Sequence, residues 1–218
     1  MMNRMLGNAT LLAALAAAWQ PSAAQATDED TQLWIYGVAT GDLDDDTRLT
    51  IDASARWREV RRGDEQQTIR FNLEQEVADS VRIGGGLGVF EAGGQTEIRP
   101  HQEITITLGR VALRTRIEER FFDGADQMEF RFRQRVRYSL PLAEGLDARF
   151  DGEYFNLVQT QFRRPGLARD QLRGRIELGW KASKALRLSL AYLVIHTPTP
   201  GAPDPLNHVP QAWIEYRF

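Results

Sequence analysis

Apolar and charged residues alternate one by one over long stretches of this chain, and this period of two constrains the fold more than any other feature. In residues 128–138, aromatic and aliphatic side chains alternate with a row of arginines. Successive side chains of a β-strand point to opposite faces, so such a stretch is a strand with one apolar and one charged face. Residues 212–218 repeat the pattern and end on the aromatic Phe218. The chain is therefore expected to be all-β.

Ten segments carry this alternation, and none sustains the helical period of 3.6. They are residues 49–58, 69–76, 81–89, 103–108, 111–120, 128–138, 146–154, 172–180, 186–194 and 212–218. The solvent face of a soluble sandwich seldom carries five charges on one strand, whereas a membrane strand is apolar towards lipid and polar towards a lumen. We expect a closed antiparallel transmembrane β-barrel. A soluble periplasmic ligand-binding barrel is the alternative.

The number of strands is less certain than their pattern. Residues 32–40 form an eleventh candidate strand, but bacterial single-chain barrels close with an even number. Either that segment lies outside the wall, which leaves ten strands, or one further strand brings the number to twelve. At about 16 residues per strand and turn, the length of the chain slightly favours twelve.

The beginning of the chain reads as a secretory signal peptide. Arg4 precedes a stretch rich in Ala and Leu over residues 6–19, and Ala24-Gln25-Ala26 supplies a small-x-small cleavage pattern. We therefore predict a cleaved signal peptide over residues 1–26, exported by the Sec route, and a barrel domain over 27–218. Together with the strand pattern this predicts the outer membrane of a Gram-negative bacterium.

Long and short connections are expected to alternate between the two ends of the barrel. If the last strand runs down to the periplasm, residues 197–208 and 157–170 are outer loops, and 181–185 and 141–145 are periplasmic turns. An aromatic girdle then lies at the periplasmic rim, where interfacial aromatic residues belong. It consists of Tyr138, Trp180, Tyr216 and Phe218.

Net charge and cysteine content limit the classes of partner that this protein is expected to bind. Loss of Arg4 with the signal peptide lowers Lys plus Arg from 27 to 26 against 30 carboxylates, so the barrel domain is slightly acidic and no nucleic-acid partner is expected. The absence of Cys excludes disulfides and a Cys-linked lipid anchor. The expected partners are the lipid bilayer, the outer-membrane barrel assembly machinery and periplasmic chaperones, with the barrel itself a monomer. Resemblance to other barrels implies that Tyr216 and Phe218 act as the assembly signal.

The inward face is predicted to be crowded with arginine and glutamate. Two interpretations stay open: an ion-paired plug in a narrow lumen, or an electropositive stripe that favours anions in a narrow pore. The predicted role is therefore structural, or a narrow passage for small solutes or ions. Arginine suits either one, because its planar fork binds two carboxylates more readily than lysine does. The candidate lumen residues are Arg70, Glu74, Glu103, Arg114, Arg116, Glu118, Arg120, Arg131, Arg133, Arg135, Arg137, Arg173, Arg175 and Glu177.

Residues 114–121, read with Glu103, Trp34 and the terminal Tyr216-Arg217-Phe218, resemble an uncharacterised bacterial family of outer-membrane barrels, domain of unknown function 2490. The resemblance covers most of the chain after the signal peptide. It implies a membrane barrel and no established activity, so no catalytic residue is transferred from it.

An enzymatic function has little support in the sequence, although a rim hydrolase acting on lipid or peptide stays an alternative. His101 lies in a predicted strand and is expected to hydrogen-bond Glu103 or an arginine, while His196 and His208 flank the proline-rich loop. No Gly-x-Ser-x-Gly elbow is present. No catalytic residue, cofactor or metal is assigned.

Two other motifs are interpreted as structural. Residues 42–46 are rich in aspartate but lack the ligand spacing of a calcium loop, so they are expected to form a solvated turn. The glycines of residues 84–88 indicate a bend, or room for bulky side chains from across the lumen.

Overall fold

The computed structural model describes residues 28–59, 64–163, 170–199 and 201–218. The predicted signal peptide lies outside these residues. Twelve strands run through the described part: β1 (Asp28–Thr31), β2 (Leu33–Asp42), β3 (Thr47–Trp57), β4 (Gln66–Ala78), β5 (Val81–Ala92), β6 (Gln95–Leu108), β7 (Val111–Phe122), β8 (Glu129–Ala143), β9 (Leu146–Gln159), β10 (Gln171–Lys181), β11 (Leu186–His196) and β12 (Pro205–Arg217). The described residues include no helix that is long and apolar enough to span a bilayer.

The strands form one closed sheet in chain order. From β2 to β12 each strand pairs antiparallel with the next, and β12 then pairs with both β1 and β2 in parallel. β1 and β2 follow one another along β12, separated by Gln32, whose amide donates to the His208 carbonyl at 2.9 Å. The favoured number of twelve strands is therefore confirmed, but they occupy eleven positions around the wall.

The expectation that an even number of strands closes the wall is wrong. In a wall of eleven antiparallel neighbours the first and last strands run in the same direction, so the closing pair must be parallel. The register runs from Gln211 beside Trp34 to Arg217 beside Thr40. The segment that was the uncertain eleventh candidate thus belongs to the wall, and we call the β2–β12 pairing the seam.

The connections define two different rims. The turn rim carries residues 43–46, 79–80, 109–110, 144–145 and 182–185, and the described residues of the loop rim are 58–59, 64–65, 93–94, 123–128, 160–163, 170, 197–199 and 201–204. At the loop rim, β5 and β6 meet in a two-residue turn whose Gly93 and Gly94 have positive φ of 56° and 74°, as a tight hairpin of this kind requires. The alternation agrees with the prediction, although β8, β9 and β12 extend into the predicted connections and shorten them.

The outward face is predominantly apolar. On β10, for example, Leu172, Ile176 and Trp180 expose about half of their surface, at 49%, 51% and 54%. The predicted aromatic girdle, which consists of Tyr138, Trp180, Tyr216 and Phe218, lies at the turn rim. A cluster of four polar side chains interrupts the apolar outward face on β6–β8. Hydrogen bonds join Gln102 to Glu119 and Thr115 to Gln134.

Glycines make room for large inward side chains. An added Cβ at Gly86 would meet the His101 ring at 2.7 Å, and one at Gly179 would meet the Arg187 guanidinium at 1.7 Å. The side chains in this space come from neighbouring strands, not from across the lumen as one interpretation of residues 84–88 proposed, because adjacent strands are much closer than opposite walls.

Candidate functional site

The interior of the barrel holds a cavity of about 700 Å³. Its lining extends from Gln32 and Asn207, towards the loop rim, to Arg149 and Glu215, towards the turn rim. Among the described residues that line it, fourteen are arginines and seven are aspartates or glutamates. The surface facing the cavity therefore carries twice as many fixed positive as negative side chains.

The structure brings the sequence-predicted lumen residues together around this cavity. Thirteen of them line it: Arg70, Glu74, Glu103, Arg114, Arg116, Arg120, Arg131, Arg133, Arg135, Arg137, Arg173, Arg175 and Glu177. Glu118 lies behind them and is only 1% exposed. The alternation of faces thus locates these side chains, because a side-chain period of two leaves each residue of a strand on one side of the wall.

The arginine rows of β7 and β8 stand directly beside one another. In the register of these two strands, Arg114 is opposite Arg135 and Arg116 is opposite Arg133. Like charges directly opposite each other in a sheet are destabilising. Carboxylates from β6, β7 and β9 must therefore lie between them.

Glu118 is the central carboxylate of this network. It accepts from Arg133 Nη1 at 2.5 Å and from Arg131 Nε at 2.8 Å, and Arg116 Nη1 lies 3.7 Å away. A carboxylate has about four acceptor sites, so one buried glutamate can bind several guanidinium groups.

The flanking strands supply the next two carboxylates. Glu103 of β6 accepts from Arg116 Nε at 2.7 Å. Glu153 of β9 accepts from Arg114 Nη2 and Arg133 Nη2, each at 2.8 Å. These shared contacts connect β6, β7, β8 and β9 across the lumen face.

Two further clusters extend the network towards each rim. Nearer the turn rim, Arg187 donates to Asp147, Glu177 and Glu215 at 2.6, 2.9 and 2.8 Å. Nearer the loop rim, Glu97 accepts from Arg99 Nε and Arg120 Nε at 2.6 and 2.7 Å. The arginines are consequently held in place along most of the barrel wall.

Among the described residues, Arg56, Arg135 and Arg173 line the cavity without a carboxylate within hydrogen-bond distance. Arg56 donates from Nη1 to Gln66 Oε1 at 3.0 Å, and Arg173 donates from Nε to Gln171 Oε1 at 2.7 Å. Arg135 Nε lies 3.9 Å from Asp151, which binds Arg137 and Arg175 more closely, each at 2.8 Å. Positive charge in the cavity therefore exceeds what the nearby carboxylates balance.

Several lumen residues are missing from the set predicted from the sequence. They are Arg56, Arg99, Arg149, Arg187, Glu97, Glu129, Asp147, Asp151, Glu153 and Glu215. Eight of them lie on the charged face inside the predicted segments, so taking every residue of that face was the signal that could have found them; Glu97 and Arg99 lie before the predicted segment 103–108. Arg99 is separated from His101 by a proline, which hides the extent of β6.

The lumen also has an apolar side at the seam. Trp34, Tyr36, Leu193, Ile195 and Val209 form a buried cluster. Tyr36 stacks on Trp213 across the seam, with ring centroids 3.7 Å apart and planes 6° from parallel. The fold thus places aromatic rings of β2 and β12 opposite the arginine-rich wall of β7–β10.

The histidines take structural positions. The expected hydrogen bond of His101 to Glu103 or an arginine is wrong: His101 Nε2 lies 2.9 Å from Asn72 Oδ1, and it is Asn72 Nδ2 that donates to Glu103, at 3.0 Å. His196 pairs with Asp204 at 3.1 Å, and His208 Nδ1 lies 2.8 Å from the Tyr192 hydroxyl. Within the described ranges, no group of three or more His, Cys, Asp or Glu side chains is arranged to hold a metal ion.

The aspartates of residues 42–46 form a turn, in agreement with their interpretation. Asp44 Oδ1 accepts from the amides of Asp46 and Thr47 at 3.0 and 2.7 Å. Hydrogen bonds from Thr47 and from the Asp46 amide hold the pKa of Asp44 below its ordinary value. This carboxylate organises the connection between β2 and β3.

Together, the closed sheet and its charged inner face define a β-barrel with an arginine-rich lumen. Residues 31–205 match the family described as "Protein of unknown function (DUF2490)". The chain belongs to this family, as its sequence resemblance implied.

Solved structures of porins show a similar fold. The structure titled "NanC porin structure in rhombohedral crystal form" has a TM-score of 0.54 and 6% identity, and the match covers 76% of this chain and 86% of that one. The KdgM porin, also solved "in complex with disordered oligogalacturonate", has a TM-score of 0.49 and 9% identity, with 72% and 81% covered. No curated protein matches the sequence. At this identity the likeness to the NanC porin concerns the barrel fold alone.

Proposed function

We propose that this protein is a monomeric outer-membrane barrel that forms a narrow passage for small anions. Its placement in a membrane is supported by the outward face, where large apolar side chains such as Leu190, 70% exposed, recur along the strands. Apolar surface this extensive is unusual on a soluble monomer. Lipid chains can cover this apolar surface, and the closed sheet provides hydrogen-bond partners for the backbone N–H and C=O groups.

Selectivity for anions is inferred from the cavity, and the excess of arginine over carboxylate side chains along its lining carries the proposal. Charged rings and stripes in a narrow pore determine which sign of ion enters, because low-dielectric walls concentrate their field. The carboxylates hold most arginines in place, while Arg56, Arg135 and Arg173 keep charge that is not closely balanced.

The plug and pore interpretations can be combined. The ion-paired network fills much of the lumen and makes it narrow, and the remaining cavity is the passage. A rim hydrolase gains no support from His101, whose near partner is the Asn72 side chain and not a hydroxyl group.

The test is ion conductance of the refolded barrel in a planar bilayer, with the reversal potential measured in a KCl gradient. We expect steady conductance with preference for chloride. Replacing Arg135 with glutamine is expected to lower the anion preference, whereas Arg110→Gln, the same change in an exposed turn, is expected to leave it unchanged. Cation preference, or no conductance from an inserted barrel, would contradict the proposal.

We also propose that the assembly machinery and periplasmic chaperones recognise the last residues, Tyr216 and Phe218. The Phe218 amide donates to the Thr40 carbonyl at 3.1 Å, and its ring occupies the space that a side chain at Gly41 would need. This residue therefore also helps to close the seam at the turn rim.

Phe218→Ala is expected to lower the amount of barrel in the outer membrane several-fold, because a recognition residue and a seam contact are lost together. Heat-modifiable migration in gel electrophoresis measures the folded fraction. Phe121→Ala, which removes another exposed outward ring, is the control. Recognition predicts a larger loss in cells than on refolding into pure lipid, where only the seam contact matters; equal losses in cells and in lipid would assign the residue to seam closure alone.

A further inference from the structure

The cavity has two chemically different walls. Six of its lining side chains form what we call the seam patch, which consists of Trp34, Tyr36, Val38, Leu193, Ile195 and Trp213. These residues belong to β2, β11 and β12, while the cavity-facing side chains of β7–β10 are mostly arginines and carboxylates. A small inorganic anion would use only the second wall.

Two arginines connect these walls. The Cζ atoms of Arg56 and Arg173 lie 4.4 and 5.9 Å from the centre of the Trp34 ring, and Arg173 also lies 4.2 Å from the centre of Phe155. Cations at such distances are attracted to aromatic rings. Positive charge and aromatic surface therefore meet at Trp34.

The carboxylates near this point are engaged elsewhere. Glu153 is opposite Arg173 in the sheet, but its ion pairs are with Arg114 and Arg133. Asp30 accepts from Gln32 Nε2 at 2.9 Å through Oδ2, its Oδ1 has no hydrogen bond among the described residues, and the residue is not part of the cavity lining. The guanidinium groups of Arg56 and Arg173 are consequently available to an anion from outside the protein.

Polar atoms at the same place lack partners. Arg56 Nε, Trp213 Nε1 and Gln211 Oε1 are buried without a hydrogen bond among the described residues, and all three side chains line the cavity. Gln211, 4% exposed, is opposite Trp34 in the seam. Buried polar groups are rarely left unsatisfied, so the two unpaired N–H donors, Arg56 Nε and Trp213 Nε1, indicate a place for an acceptor group of a ligand, while the unpaired oxygens Gln211 Oε1 and Asn207 Oδ1 indicate a place for a water molecule or a donor group beside it.

We propose that this part of the lumen binds small aromatic carboxylates of the benzoate class. The ring packs on the seam patch, and the carboxylate accepts hydrogen bonds from Arg56 and Arg173. A polyhydroxylated carboxylate would satisfy the arginines but would have to desolvate its hydroxyl groups against Leu193 and Ile195. This inference rests on the proposed anion passage and names the class of solute that it favours.

Binding of three probes to the refolded barrel, measured by titration calorimetry, tests the site. Benzoate offers both groups, glucuronate offers the charge without the apolar ring, and benzyl alcohol offers the ring without the charge. We expect benzoate to bind at least about tenfold more tightly than either of the others. Similar affinities for benzoate and glucuronate would overturn the inference.

Variants separate the two walls. Arg56→Gln combined with Arg173→Gln is expected to weaken benzoate binding about tenfold or more, and Arg110→Gln at the exposed turn is the charge-matched control. Trp34→Leu keeps the arginines and removes one aromatic ring of the seam patch, so it should lower the preference for benzoate over glucuronate. Heat-modifiable migration verifies folding, and Arg173→Gln alone replaces the double variant if that one does not fold. Unchanged benzoate affinity in folded variants would overturn the site.

The proposed passage and the proposed benzoate site can be contradicted independently of each other. An anion-selective channel without benzoate preference overturns this inference and leaves the proposed passage in place. Benzoate binding to a barrel that does not conduct supports the site and removes the passage.

Discussion

Replacing Glu118 with glutamine is expected to destabilise the barrel by about 3–5 kcal/mol, the cost of removing one partner from a buried ion pair. Glu118 is 1% exposed and is the common carboxylate of Arg131 and Arg133. Glutamine keeps the shape but removes the charge, so these guanidinium groups stay buried without their counterion. Urea unfolding of the refolded protein in lipid vesicles measures the difference.

The control for this change is Glu144→Gln, which neutralises an exposed carboxylate in a turn. Its effect should lie within about 0.5 kcal/mol of zero. Adding Arg131→Gln to Glu118→Gln should recover part of the lost stability, because it removes one of the buried guanidinium charges that lost its counterion. The effects of the two substitutions on the free energy of unfolding are therefore not additive. A loss of stability no larger than that of the control would show that water in the lumen solvates these arginines and that they do not need the charge of Glu118.

Ile176→Arg is the second change with a large expected effect. Ile176 is the middle residue of β10, faces outward and is 51% exposed. If this face contacts lipid, an arginine here costs about 2–4 kcal/mol near the bilayer midplane. We expect a corresponding loss of folding free energy in vesicles.

Leu172→Arg makes the same substitution on the same face beside the loop rim, where Leu172 pairs with the last residue of β11. There the cost falls to about 0–1 kcal/mol, because the side chain reaches the interface. The contrast between the two positions measures depth in the bilayer. Equal costs at both would argue against a membrane around this wall.

The faces of the strands were predictable because they depend on local spacing alone. Arg131, Arg133 and Arg135 lie inside the barrel because outward residues such as Val136 alternate with them. The face on which each of these residues lies can be predicted without knowing which strands are its neighbours. The same reasoning placed the aromatic girdle at the turn rim, since turns and loops alternate along the chain.

The closure of the barrel was not predictable in the same way. Whether residues 32–40 join the wall depends on which strand completes the sheet, and the pairing of β2 with β12 joins residues from opposite ends of the chain. The seam patch follows from this closure, because Trp34 and Trp213 become neighbours only when the seam forms. Its apolar character inside a charged lumen therefore had no clear signal in either segment.

The sequence by itself determined the class of fold and the charged character of the lumen, because the side-chain period of two is a property of every strand taken alone. The tertiary structure decided which arginine binds which carboxylate, that Arg56 and Arg173 have no close carboxylate in the described part of the chain, and that both meet Trp34. These contacts depend on the register and curvature of eleven wall positions. Distances of a few ångströms between side chains from separate strands exist only once the wall has closed.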